Sequence, residues 1–493
     1  MTALARLLAL SSLAAVVSAS SYLATCTQIA KAISSQSQVF YPVSLSISLD
    51  PLSIHDSYAD ANEHWMSSSS QISACAVEPG TPADVAVILQ ILGSTQTPFA
   101  VKGGGHASNP GFSSTPGVQI AMYRFSQVTY DSTAGTATIG SGLIWDDVYT
   151  ALAPHNVNIV GGRVTGVGVA GFTLGGGYSW KTSQYGLTID TVQGFEVVLP
   201  NGTVTNATAT LNPDLFFGLK GGFNNFGIVT NFILKTFPQT QVWGGLITYT
   251  GNNVDAVNAA TANFAANNTD PKAAIITTYN FLLGEIGVSE LIFYDAPTPP
   301  AGLFDEFLAI PSFTKDISTR SYVSLVQSSP SNATANLRGA FHTVSLTGYP
   351  PAILSAIVNE TNSYGERYQL DTGFFISYDV EPFLPTLFSH NSTPSAYPPS
   401  RAQGLLPLNL YYAWLDPLSD AQFQDAIRES AAHLKSLAVA AGQDVADAAV
   451  YGNYAIFDTP LENIYGANLP RLKEIKAQYD PSNVMGLAGG FKF

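Results

Sequence analysis

Apolar residues recur at helical spacing in "TPADVAVILQILGS", where Val85, Ile88, Leu89 and Leu92 fall on one face. Thr81 precedes them as a candidate N-cap, Pro82 fits the first helical position and Asp84 suits the positive end of the helix dipole. This segment predicts a helix packed on a sheet, and "PFAVK" after it predicts a short strand. In "FEVVLPNGTVTNA" two β-rich runs joined by Asn201-Gly202 predict a hairpin. From about Val242 to Ala448 the β-rich runs "GGLITYT", "SELIFYDA" and "LNLYYAWLD" alternate with amphipathic helices. The clearest is "SDAQFQDAIRESAAHLKSLAVAAG", with Ser419 as cap and Gly442 past its end. "DAPTPPAG" and "HNSTPSAYPPSRAQG" are turn-rich connectors, and no internal repeat or low-complexity tract occurs. The pattern predicts an α+β protein.

At 493 residues the chain exceeds one hydrophobic core, so two domains, or one with a large insertion, are expected. Only 11% of it is charged, less than half the usual ~25%, so its surface is polar through Ser, Thr, Asn and Gly. A formal net charge of -15 argues against nucleic acid and anionic membranes as partners.

The start, "MTALARLLALSSLAAVVSAS", has a positive Arg6, an apolar run to Val17 and a small-residue cleavage site ending at Ala19. It predicts a secretory signal over residues 1–19; a membrane anchor is disfavoured because the run is too short to span a bilayer. Export gives the two cysteines, Cys26 and Cys75, an oxidising compartment and favours a disulfide between them. Sequons at Asn201, Asn206, Asn267, Asn332, Asn359 and Asn391 fit a glycosylated surface.

Three glycine-rich runs remain. "VKGGGHASNPG" sends three glycines straight into His106, and glycines let backbone approach a bulky group with no Cβ in the way. "VGGRVTGVGVAGFTLGGGYSW" contains Gly166, Gly168 and Gly171 at G-x-G-x-x-G spacing, with Asp190 further on. A Rossmann fingerprint must open a helix within a βαβ unit, and "FTLGGGYSW" predicts an extended loop instead. The third run is "LKGGFNNFGIVTNFIL". Together they suggest anion-cradling backbone for a long ligand such as a dinucleotide; each alone also reads as tight turns.

These motifs, with "DLFFGLKGGFNNFGIVT" and the C-terminal "YGNY" and "YGANLPRLKEIKAQYDP", resemble the FAD-linked oxidases of the vanillyl-alcohol oxidase and p-cresol methylhydroxylase superfamily, in the berberine-bridge-enzyme-like branch common in fungi. The resemblance covers nearly the whole chain after residue 19. It implies a two-subdomain PCMH-type FAD-binding domain over 20–238, a substrate domain with a helix-covered antiparallel sheet over 239–448, and a return to the FAD domain over 449–493.

It also implies FAD bound along Lys102, Gly103, Gly104, Gly105, His106, Ala107 and Gly111, along Gly166, Val167, Gly168, Gly171, Gly175, Gly176 and Gly177, and along Gly227, Ile228 and Val229. His106 occupies the position that is covalently attached to the flavin 8-methyl carbon; the alternative is a turn histidine beside non-covalent FAD. A second, cysteinyl link would fall at Val164, so one bond is expected, which weakens a sugar-oxidase assignment. Lys102 is either a pyrophosphate partner or a solvated lysine.

The implied reaction is hydride removal from a small alcohol, phenol or polyketide-type intermediate, with O2 as acceptor and H2O2 as product. Alternatives are an oligosaccharide oxidase, a cyclase with little net redox role, or a binding glycoprotein that has lost catalysis. Val167 lies where the family controls oxygen access. Tyr451 and Asn453 match the family's Y-x-N motif; Tyr451 is the first candidate base, if its phenol pKa is depressed, and is otherwise packing under the cofactor. Asn453 is expected on the ring or ribityl chain, and Tyr378, Tyr411 and Tyr412 are further candidates to face the site. No metal is expected: H-E-x-x-H is lacking, and His55 and His64 are too far apart for a one-turn pair. No G-x-S-x-G elbow occurs. A monomer or weak dimer is expected.

Overall fold

Cys26 and Cys75 form a disulfide, which ties helix α1 (Leu23–Ala32) to a strand that begins at Cys75. The computed structural model describes residues 22–42, 57–391 and 393–493. The leader expected at 1–19 and His55 lie outside them.

The first sheet contains β1 (Gln38–Phe40), β2 (Cys75–Glu78), β3 (Phe99–Lys102) and β4 (Val118–Ala121) in the order β1-β2-β4-β3. Helix α2 (Pro82–Thr95) covers it as the periodicity predicts. The Thr81 hydroxyl accepts from the Asp84 N–H at 3.1 Å, and Ile88, Leu89 and Leu92 are fully buried. The second sheet joins β5 (Val128–Asp131), β6 (Thr136–Gly140), β8 (Val192–Val198), β9 (Val204–Thr208) and β10 (Ile228–Lys235) in the order β5-β6-β10-β8-β9, antiparallel throughout. Its β8–β9 pair is the predicted Asn201-Gly202 hairpin. A small pair, β7 (Val157–Asn158) with β11 (Phe237–Pro238), lies beside it.

One local expectation fails. Residues after Gly168 form a short helix, α3 (Val169–Leu174), not an extended loop. Val169, Thr173 and Leu174 are buried there, so packing overrides the weak helix propensity of the segment. The Rossmann reading falls on topology instead: the strand before the run, β7, pairs antiparallel with β11, and the strand after it, β8, pairs antiparallel with β9 and β10, so no parallel βαβ unit surrounds it.

The third sheet has seven antiparallel strands, β12 (Val242–Thr250), β13 (Ala273–Leu282), β14 (Glu285–Tyr294), β15 (Thr314–Arg320), β16 (Arg338–Leu346), β17 (Gly373–Val380) and β18 (Leu406–Trp414), ordered β15-β12-β14-β13-β17-β18-β16. Helices α4 (Val254–Asn267), α5 (Pro351–Tyr368) and α6 (Asp420–Ala440) pack on one face, against Tyr279, Ile292, Ile376, Tyr378, Leu410 and Tyr412. Strand side chains alternate between faces, so the other face carries the residues between these. In register across all seven strands that face bears Thr314, Thr248, Ser289, Thr278, Asp379, Asn409 and Thr343. A polar row on a wall turned toward the other two sheets is unusual for a packing face, and it fronts the main cavity.

Candidate active site

A cavity of about 880 Å³ lies between the glycine-rich loops and this face. Of the residues expected at the cofactor, Gly103, Gly104, Gly105, His106 and Ala107 line it, with Val167, Gly168 and Gly171 from the second run and Gly227, Ile228 and Val229 from the third. The loops meet closely: a Cβ on Gly104 would stand 2.5 Å from the Gly168 Cα, and one on Gly168 would stand 2.5 Å from the Gly104 nitrogen. Side chains at either position would push the runs apart.

His106 ends the first run against the Trp65 indole, ring centroids 4.2 Å apart and planes within 13°. Its Nε2 is buried without a hydrogen-bond partner. Burial pushes its pKa down to about 4, so the imidazole is neutral near pH 7 and nucleophilic.

Gly175, Gly176 and Gly177 stand behind the wall, not in it. The Gly177 N–H donates to the Tyr451 hydroxyl at 3.1 Å, and a Cβ on Gly175 would meet the Asn453 Oδ1 at 2.3 Å. Gly166 and Gly111 also lie off the cavity wall; the Gly166 N–H donates to Asp146 and Gly111 has a φ of +76°.

Tyr451 and Asn453 do line the cavity. Asn453 donates its amide to the Phe172 carbonyl at 3.1 Å and to the Tyr451 hydroxyl at 2.7 Å. The expected depression of the Tyr451 pKa is not found: burial pushes it up to about 12, against the opposing hydrogen bonds from Asn453 and Gly177. A phenol that accepts two hydrogen bonds and holds its proton near neutrality is a poor unaided base.

Two further expectations are corrected. Lys102 is neither solvated nor turned to the cavity; its ammonium donates to the backbone carbonyls of Asp60 and Glu63, and burial lowers its pKa to about 8. Of the three tyrosines on β17 and β18, Tyr411 lines the cavity, while Tyr378 and Tyr412 are buried on the helix face and bonded to each other.

Sequence reasoning missed the acidic side of the site. Asp379 and Glu381 are two apart in "YDVEPF", a spacing that puts both on one strand face, which was the available signal. Burial raises the Asp379 carboxyl, against hydrogen bonds from Thr278 and Asn409. The Asn409 amide donates to its Oδ2 at 3.0 Å. Glu381 pairs with Arg163 at 2.7 Å, and Tyr454 donates to Glu381 at 2.9 Å while accepting from Arg163 at 2.8 Å. Among the described residues no group of three or more His, Cys, Asp or Glu is placed to hold a metal.

The glycine loops, the partnerless His106 nitrogen and the carboxylates opposite fit FAD, and this is the architecture of a flavin-dependent oxidoreductase. Residues 73–208 match the FAD binding domain family and residues 450–488 the berberine and berberine-like family. The chain belongs to the PCMH-type FAD-binding, berberine-bridge-enzyme-like family. It is 42% identical over 255 residues to an uncharacterized FAD-linked oxidoreductase of Arthroderma benhamiae, a match spanning 51% of either chain. Over 440 residues it is 32% identical to the FAD-dependent monooxygenase drtC of Aspergillus calidoustus, covering 85% of this chain and 83% of that one. Its fold matches the glucooligosaccharide oxidase of Acremonium strictum, described with a 6-S-cysteinyl, 8α-N1-histidyl FAD, at a TM-score of 0.70 and 20% identity over 86% of this chain and 92% of that one.

Proposed function

We propose that this chain is a secreted FAD-linked oxidase that holds its flavin by one bond through His106 and takes a hydride from an alcohol, phenol or polyketide-type intermediate, with O2 as acceptor and H2O2 as product. The observation that carries the reading is a neutral His106, its Nε2 without a hydrogen-bond partner, lining the same cavity as the carboxylates of Asp379 and Glu381. Bound FAD supplies the hydride acceptor and the route of electrons to dioxygen.

The chain's own residues do the rest. His106 would hold the flavin through one imidazole nitrogen, which burial keeps neutral and so able to act as a nucleophile. Val164 stands where a cysteine would make a second link. Asp379, with its raised pKa and its place on the polar row, takes the hydroxyl proton of the substrate; Asn409 steadies the carboxylate. Arg163 and Glu381 neutralise each other beside it, and Tyr454 bridges them. Tyr451 and Asn453 lock the second glycine run to the C-terminal segment.

Secretion is supported by the leader-like start, the Cys26–Cys75 disulfide and the exposed sequon residues Asn201, Asn206, Asn267, Asn332 and Asn359. No helix among the described residues is long and apolar enough to cross a membrane.

Acid precipitation of the purified protein tests the tether. Yellow flavin in the pellet, moved to the supernatant by His106→Ala, is the expected result; a colourless pellet from the wild type overturns the covalent assignment. One H2O2 formed per O2 consumed separates an oxidase from an oxygen-inserting enzyme of the kind named for the Aspergillus relative. An oligosaccharide oxidase is the second reading, favoured by the polar row across the sheet.

A further inference from the structure

The cavity continues past its polar row into a second groove. Leu282, Phe374 and Phe375 line the cavity's outer part, and the same three residues line a neighbouring groove of about 180 Å³ between the β13–β14 hairpin tip and the chain that follows α5. Leu283 and Gln369 complete its rim. Apart from Gln369 the rim is apolar and bare: Leu283 is 91% exposed, and Leu282 and Phe374 38% each.

Folding does not account for Leu283. The hairpin closes with φ of +53° at Leu283 and +86° at Gly284, a turn that favours Asn-Gly or Asp-Gly. A leucine in the left-handed region is strained, and one almost wholly in water gains nothing from burial. Asparagine would relieve the strain and be hydrated. A contiguous apolar rim beside a cavity marks a binding surface more often than chance exposure does.

Polarity falls steadily along the sheet from inside to outside. On β17 the cavity-facing residues run Asp379, Ser377, Phe375, and on β13 they run Thr278, Asn280, Leu282. Four residues of strand separate Asp379 from Phe375, about 13 Å. An occupant that reaches both ends must be polar at the first and apolar at the second.

We propose that the substrate is an amphiphile, with a hydroxyl-bearing head at Asp379 and Asn409 and an apolar tail laid over Leu282 and Phe374 into the groove rimmed by Leu283. This rests on the reading of the cavity as an alcohol- or phenol-oxidising site and names the substrate class for it. The tail removes Leu282, Leu283 and Phe374 from water, which a uniformly polar oligosaccharide does not.

The test uses the flavin-loaded enzyme and a series of 4-alkylphenols from phenol to 4-decylphenol, with binding read from the shift in visible flavin absorbance. Full burial of each methylene tightens Kd about fourfold, so a half-open groove gives about twofold per methylene once the chain is long enough to reach Leu282. Leu283→Asn, a change the turn accommodates, is expected to weaken long-chain binding severalfold and leave phenol itself unchanged. A Kd independent of chain length, the same chain-length dependence in Leu283→Asn, or tighter binding of cello-oligosaccharides than of every alkylphenol overturns the proposal while leaving the oxidase reading intact. A protein that carries no flavin after purification overturns the oxidase reading and the groove assignment together.

Discussion

The Trp65 indole lies parallel to the His106 imidazole at 4.2 Å, and it is fixed from both sides. Its backbone N–H donates to the Gly105 carbonyl at 3.0 Å, and its Nε1–H donates to the Ser331 carbonyl at 3.1 Å. Trp65 thus links the glycine run to the loop before β16 and sets the plane of the imidazole. Such ring pairs contribute about 0.5–1.5 kcal/mol beyond area burial. Trp65→Leu is expected to slow attachment of flavin at His106 by up to about tenfold, read as the acid-stable fraction over time after FAD is added to flavin-free protein. An unchanged time course would show that the stack has no part in placing the ring.

Burial places the His106 pKa at about 4, below the ~6.5 of a free histidine. Attachment needs the neutral ring, so its rate is expected to stay flat from pH 8 to about 5 and to fall only near pH 4. A histidine with an ordinary pKa would already lose about tenfold by pH 5.5. The depressed value has a cost for the flavin-free protein. Between about pH 6.5 and 4 the unfolded chain binds the extra proton and the folded one does not, so stability falls as pH falls through that window. Urea unfolding of flavin-free wild type beside His106→Gln checks this: the wild type should lose more stability between pH 7 and 5.

What the sequence made legible were features carried by local pattern. The glycine runs, His106, the Tyr451–Asn453 motif, the Thr81 cap and the Asn201-Gly202 hairpin each depend on residues within one element. Partners from distant segments were not legible. Trp65 reaches His106 across 41 positions of chain, and Asp379 joins Asn409 only through strand pairing. Environment was the other blind spot. A lysine before glycines suggested phosphate, but backbone carbonyls of Asp60 and Glu63 took its ammonium; a phenol beside a flavin site suggested a low pKa, and burial reversed it. Propensity misjudged 169–174 because buried Val169, Thr173 and Leu174 stabilise a helix that their neighbours in sequence do not favour.

Glu290 on β14 is fully buried, neither carboxyl oxygen has a hydrogen-bond partner, and burial raises its pKa well above the usual carboxylate range despite the opposing influence of Thr277. The folded protein therefore keeps a proton that the unfolded chain releases above pH ~4.3, and stability falls as pH rises through the interval up to the folded pKa. Glu290→Gln removes that dependence. Relative to wild type, the variant should gain stability as pH rises through this interval, at a slope of at most about 1.4 kcal/mol per pH unit, measured by urea unfolding from pH 5 upward. A difference that does not change with pH would mean that Glu290 titrates alike in both states.

Asp379 is the base of the proposed reaction, and two neighbours tune it. The Asn409 amide donates to its Oδ2, and the Ser377 hydroxyl donates to its Oδ1 at 3.4 Å. Burial raises its pKa, so the deprotonated form that accepts a proton gains population as pH rises, and kcat/KM should climb through a limb lying above the ordinary carboxylate value of ~3.9. Asp379→Asn is expected to lower kcat by about 10²–10⁴-fold and erase the limb while leaving the acid-stable flavin in place. Asn409→Leu removes a hydrogen bond made to the charged form, so the limb should move to higher pH with a smaller loss at its plateau. Because both variants keep the flavin, activity lost without a change in the limb would show that Asp379 holds the substrate and that the proton leaves by another group.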